Sequence, residues 1–243
     1  LGIPVIAVVG RQEAEQGMVA IRRLAANLRS GESESLRLMA TPTLGAAVIP
    51  AAMTHWARAF PRSRCQLSTN HTREIVSALL LGEADLALSL QDPLHPGIKA
   101  EVLASGSLMA LCPLGSPEAQ GQGPLALEDI QTELVAMAED DPLGHMLHHA
   151  SEAEGRHLES RITVQTYQLA RALVEAGVGM TVVDPFTAAS ADRTRVRVRP
   201  LAPAMTVQLY LLTSASAPLA QAARRLVNYL RDAARHNLET LSA

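Results

Sequence analysis

Six polar clusters in this chain each follow an apolar, strand-like run: Thr41-Pro42-Thr43, Asn70-His71-Thr72, Ser89-Leu90-Gln91, Asp140-Asp141, Gln165-Thr166 and the single Asp184. Hydroxyls and amides at strand ends, beside helix N-termini with unpaired N–H groups, are equipped to hold a carboxylate. Carboxylates facing the same space suit an ammonium or a guanidinium. Each cluster also has a plainer role. Thr before Pro is a common helix start, Asp141 before Pro142 reads as a helix cap, and Asp184 before Pro185 as a strand-end turn. Spacing alone leaves both roles open.

Catalytic chemistry finds less support. Lys99, in "HPGIKAE", is the only lysine among 21 basic residues, so Schiff-base chemistry would rest on it alone, and no phosphate-binding glycine loop is present. No Ser/His/Asp or Cys/His set has the spacing of a nucleophile elbow. Asp141, His145 and His149 fall at i, i+4 and i+8 on a predicted helix, with His148 beside them. Zinc needs three or four such ligands converging, and a surface helix with a polar stripe explains the spacing as well. We expect no enzyme activity, no metal and no cofactor. Cys65 and Cys112 lie in apolar strand-like runs and read as buried, reduced thiols.

Composition agrees with a binding protein. Of 243 residues 48% are hydrophobic and 19% charged, which suits a folded chain with a real core. A net charge of -3 gives no footprint for nucleic acid on this chain. No apolar run approaches the roughly 18 residues a membrane span requires. "LGIPVIAVV" at the start lacks the basic leader and cleavage site of a signal peptide.

These clusters need elements to position them. "SLRLMAT", "RCQLST" and "ADLALSL" read as strands. Between them lie predicted helices over Leu44–Ala59, with a stripe of Leu44, Ala47, Val48, Ala51 and His55, and over Arg73–Leu81, closed by Gly82. "SLMALCP" is a further strand, followed by a Gly/Pro/Gln-rich stretch. The second half repeats the theme: strands "ELVAMAE", "RITVQT" and "VGMTVVDP", and helices closed by Gly155 and Gly177. "RTRVRVRP" and "TVQLYLLTS" add two strands, the first with Arg193, Arg195, Arg197 and Arg199 on one face, read as solvated or edge-protecting. A closing helix over Pro218–Asn237 carries a stripe of Leu219, Ala223, Leu226, Leu230 and Ala233. Strand–helix alternation with short connections implies parallel pairing, and open α/β sheets bind ligands at the carboxyl ends of their strands. From Gln12 to Leu28, a seam of Ala14, Met18, Ile21, Ala25 and Leu28 predicts a short pairing helix, with docking on its own domain as the alternative.

Three stretches, in order, resemble the effector-binding domain of LysR-type transcriptional regulators: "LRLMATPTLGAAVIPAAMTHWARAFP", "VSALLLGEADLALS" and "LVEAGVGMTVVDP". The resemblance implies an α/β, periplasmic-binding-protein-like fold of two subdomains joined by two crossover strands and preceded by a linker helix. Its boundaries here would be 1–35 for the N-terminal tract and linker, 36–111 plus 208–243 for subdomain I, and 112–207 for subdomain II. It further implies a small-molecule effector in the interdomain cleft, held by the six clusters above. A homodimer or tetramer in the cytoplasm is expected, with DNA read only through a winged helix-turn-helix not found in this chain. "VVDPFTA" is similar to the branch that responds to amino acids and opines. Peroxide-sensing members carry a cysteine just after the "ED" of the second lobe, and Glu139-Asp140-Asp141-Pro142-Leu143 has none. The same fold also serves extracytoplasmic solute-binding proteins for small carboxylates or amino acids, which is the alternative reading.

Overall fold

The computed structural model describes residues 35–138, 141–156, 158 and 160–242. The predicted seam helix and Asp140 lie outside these residues. Three sheets form the frame. The first has five strands in the order β2 (Arg64–Thr69), β1 (Ser35–Ala40), β3 (Leu86–Ser89), β11 (Thr206–Ser214) and β4 (Ile98–Ser107). The second has four, in the order β6 (Leu125–Ala126), β10 (Val196–Ala202), β5 (Met109–Pro113) and β9 (Thr181–Val183). The third pairs β7 (Leu134–Met137) with β8 (Ser160–Val164), and Leu134 also bridges to Met180 just before β9.

β1 runs parallel to both β2 and β3, with Leu38 opposite Leu67 on one side and Leu86 on the other. Its alternation buries Leu36, Leu38 and Ala40 against one face of the sheet, beneath α1 (Pro42–Ala47), α2 (Ile49–Ala59) and the closing helix α8 (Gln221–Ser242). α3 (Thr72–Leu80) covers the opposite face with Ile75, Ala78 and Leu79. β3 is buried at all four positions because it is covered on both faces. On α8, which starts at Gln221 and not at Pro218, Ala223, Leu226, Leu230 and Ala233 of the expected stripe are all buried, while Leu219 precedes the helix and is half-buried. A second core gathers β5, β7, β9 and β10 with α5 (Pro142–Ala153) and α6 (Tyr167–Glu175). The chain passes between the first and second sheets at Leu108, between β4 and β5, and over 203–205, between β10 and β11, and there the Leu108 N–H donates to the Met205 carbonyl at 2.9 Å.

Several expectations are corrected. The helix predicted over Leu44–Ala59 is broken at Val48, because Pro50 has no N–H to offer the carbonyl of Ala46. The break rotates the buried face onto Ile49, Ala52 and Trp56, leaving Ala51 and His55 exposed. Trp56 Nε1 then donates to the Ala222 carbonyl of α8 at 3.1 Å. Lys99 lies in β4, opposite Thr213, where no strand was predicted. Arg199 is not solvated. β10 lies inside its sheet, and Arg199 is buried, donating to the carbonyls of Glu118, Gly123, Gln122 and Pro124. Two short helices, α4 (Pro117–Gln120) and α7 (Pro185–Ala189), arise where none was predicted.

Candidate functional site

A cleft of about 520 Å³ opens where the carboxyl ends of β1, β2 and β3 meet those of β7 and β8. Every one of these strands is followed by a turn, and four of the five turns lead into a helix, so first-turn residues line the space. β1 contributes Thr41, Pro42 and Thr43, β2 contributes Thr72, and β3 contributes Leu90 and Gln91. From the other side come Asp141 after β7 and Gln165 and Thr166 after β8.

The helix starts differ in how they are capped. Asp141 Oδ2 accepts from Gly144 N at 2.7 Å, and Thr166 Oγ1 accepts from Leu169 N at 3.3 Å, so α5 and α6 begin with side-chain caps. Thr41 and His71 occupy the cap positions of α1 and α3 without any side-chain cap bond. Thr41 Oγ1 is buried and has no hydrogen-bond partner among the described residues. A buried hydroxyl without a partner costs about 1–3 kcal/mol, which a ligand oxygen or N–H would recover.

Three predicted residues do not line the cleft. Ser89 is buried and supports it from behind, accepting from Gln91 N at 2.9 Å and sharing a hydrogen bond with Thr72 Oγ1 at 3.1 Å. Asn70 donates its backbone N–H to Ala40 O at 3.0 Å, stitching β1 to the turn after β2. Asp184 is fully buried as the cap of α7, where Oδ1 accepts from Phe186 N and Thr187 N, both at 2.9 Å, and Oδ2 from Thr187 Oγ1 at 2.6 Å. Burial pushes its carboxyl up to about 6, against the pull of those Thr187 and Phe186 bonds. It touches the site only indirectly, since Thr187 Oγ1 also donates to Thr43 Oγ1 at 3.3 Å.

His71 lines the cleft beside Thr72, and the cleft also holds residues the sequence reading did not single out: Arg73, Glu74, Met137, Leu143 and Tyr167. For Arg73, Glu74, Leu143 and Tyr167 the signal was available, because each stands in the first turn of a helix that follows one of these strands, whereas Met137 ends β7 itself. Tyr167 donates its hydroxyl to Asp141 Oδ2. Burial, and then the negative charge of Asp141, hold that phenol well above its ordinary range, so it stays a donor.

The other chemistries gain nothing here. Among the described residues no three His, Cys, Asp or Glu side chains converge to hold a metal. His148 and His149 sit beside Glu152 on α5, at 3.2 and 3.9 Å. Burial pushes the Cys65 thiol up to about 11 and the Cys112 thiol to about 12, far from a reactive thiolate. No helix among the described residues is long and apolar enough to cross a membrane.

The family model for the LysR substrate binding domain matches residues 29–235. The chain belongs to that family. This LysR domain is 34% identical over 175 residues to the HTH-type transcriptional regulator DgcR of a Pseudoalteromonas species, covering 71% of this chain but only 60% of that protein. Among solved structures it is similar to the C-terminal domain of a probable LysR family transcriptional regulator from Rhodococcus sp. RHA1, with a TM-score of 0.68 at 20% identity, covering 81% of this chain and 98% of that one. It is also similar to the BenM effector binding domain with its effector benzoate, with a TM-score of 0.69 at 20% identity, covering 83% and 92% of the two chains. At such identity the two structures speak for the fold alone.

Proposed function

We propose that this LysR domain senses a small zwitterionic or cationic carboxylate, an amino acid or an opine-like derivative, for a transcriptional regulator. The carboxylate sits at the Thr41–Thr43 turn and the positive end lies toward Asp141. The carrying observation is the buried, unpartnered Thr41 Oγ1 on one wall of a cleft whose other wall presents a carboxylate. Benzoate, the effector of the structurally similar BenM domain, is itself a carboxylate. Subdomains 36–111 plus 208–243 and 112–207 close on the effector, and closure biases the placement of paired domains. Residues 1–35 supply the linker, the assembly is a homodimer or tetramer in the cytoplasm, and DNA is read by an N-terminal winged helix-turn-helix. The family match favours this reading over a solute-binding protein and over an enzyme.

Calorimetry against amino acids, opines and simple dicarboxylates tests the ligand class. Binding of zwitterionic or cationic members, weakened at least tenfold by Thr41→Val, is the expected result. A panel in which only neutral or purely anionic compounds bind would overturn it.

A further inference from the structure

A second cavity, of about 500 Å³, lies beneath α5, walled by Leu134, Leu147 and Val182. It adjoins the effector cleft, since Met137, Ala138 and Leu143 line both spaces. Their chemistry differs sharply. The cleft is lined by Arg73, Glu74 and Asp141, whereas no Asp, Glu, Lys or Arg lines the second cavity among the described residues. Ser151, its buried hydroxyl, already donates to the His148 carbonyl at 2.8 Å and seeks no further partner. His145, His148 and Ser160 stand exposed at its rim, and its inner walls of Leu134, Val135, Leu143 and Val182 accept apolar groups.

We infer that the effector carries an apolar arm that passes from the cleft into this cavity. The inference rests on the ligand reading above: the charged head is held at Thr41 and Asp141, and the arm gives the selectivity. Met137 forms part of the partition, and an unbranched thioether can turn aside where a β-branched residue would not. Because Met137, Ala138 and Leu143 line both spaces, an arm of the bound effector is the occupant nearest to hand. An arm of four to six carbons or a single ring fits the volume.

Calorimetry on the full chain with alanine, norvaline, norleucine, 2-aminooctanoate and phenylalanine separates the two ideas. Affinity is expected to rise roughly fourfold per added methylene in the wild type. Leu147→Trp fills the cavity from α5, and Ala136→Leu fills it more gently from β7. Both should leave alanine binding within about twofold and abolish the gain per methylene, with thermal unfolding reporting that each variant folds. If alanine binds but the wild type shows no gain with length, or if the gain survives in both variants, the arm is wrong and the head-group reading stands. If no member binds at all, the ligand reading fails and the arm fails with it.

Discussion

Gln168 Nε2 donates to the Pro42 carbonyl at 2.8 Å, joining the first turn of α6 to the start of α1. The bond ties the two walls of the cleft together at the Thr41–Thr43 turn, beside the Thr187–Thr43 contact.

Replacing Gln168 by Ala removes a single neutral hydrogen bond between the walls. A loss of about 1 kcal/mol in urea unfolding is expected, with a matching weakening of effector affinity. Unchanged stability would mean the contact contributes nothing.

Tyr167→Phe deletes the hydroxyl donated to Asp141 and leaves the ring. A hydrogen bond to a charged acceptor is worth about 1.5–3 kcal/mol, and the loss should appear in chemical denaturation. In the wild type the phenol should stay protonated well past pH 10. A tyrosinate absorbance step below that pH, absent from Tyr167→Phe, would contradict the described environment.

Glu118 is buried in the second core, where burial alone would raise its carboxyl. Thr132 N and Gln131 N at 2.8 Å and Thr132 Oγ1 at 2.7 Å prevail and lower it to about 2. A depressed carboxyl stabilises the fold above its unfolded value of 4.5, and the gain disappears as pH falls toward 2. The contribution is about 3 kcal/mol. Glu118→Gln should therefore be less stable at pH 7 and should flatten acid denaturation between pH 4.5 and 2, as circular dichroism during pH titration would reveal.

Asp184 runs the other way. Its folded carboxyl is raised to about 6 from 3.8, so the folded state holds the proton more tightly across that interval. Stability attributable to this group falls as pH climbs from about 4 to about 6, by about 3 kcal/mol. In Asp184→Asn that slope should vanish, because the amide does not titrate. Denaturation midpoints for both proteins at pH 4, 5, 6 and 7 measure it, and parallel curves would refute the assignment.

Much of the frame was legible because it rests on local rules. Alternation marked β1, glycines at positive φ ended α3, α5 and α6 at Gly82, Gly155 and Gly177, and the α8 stripe followed helical spacing. At Gly179 a Cβ would lie 2.5 Å from the Glu133 carbonyl, which explains the Gly-x-Gly turn before β9. What escaped depends on partners distant in sequence. β4 was missed because it is an edge strand whose pairing slips at Leu209/Tyr210, which breaks the alternation that would have announced it. Arg199 reads as one of four surface arginines until the loop at Gln122–Pro124 brings carbonyls to it. Asp184 and Asp141 look alike in sequence, each before a proline. Only the packing of Phe186 into the first core, fully buried, draws Asp184 inward.

The bond from Leu108 N to Met205 O has a mechanical corollary. Because the two passages between the first and second sheets are fastened side by side, a bend in one is carried to the other. Protection of the Leu108 amide against hydrogen exchange would therefore report on both passages at once.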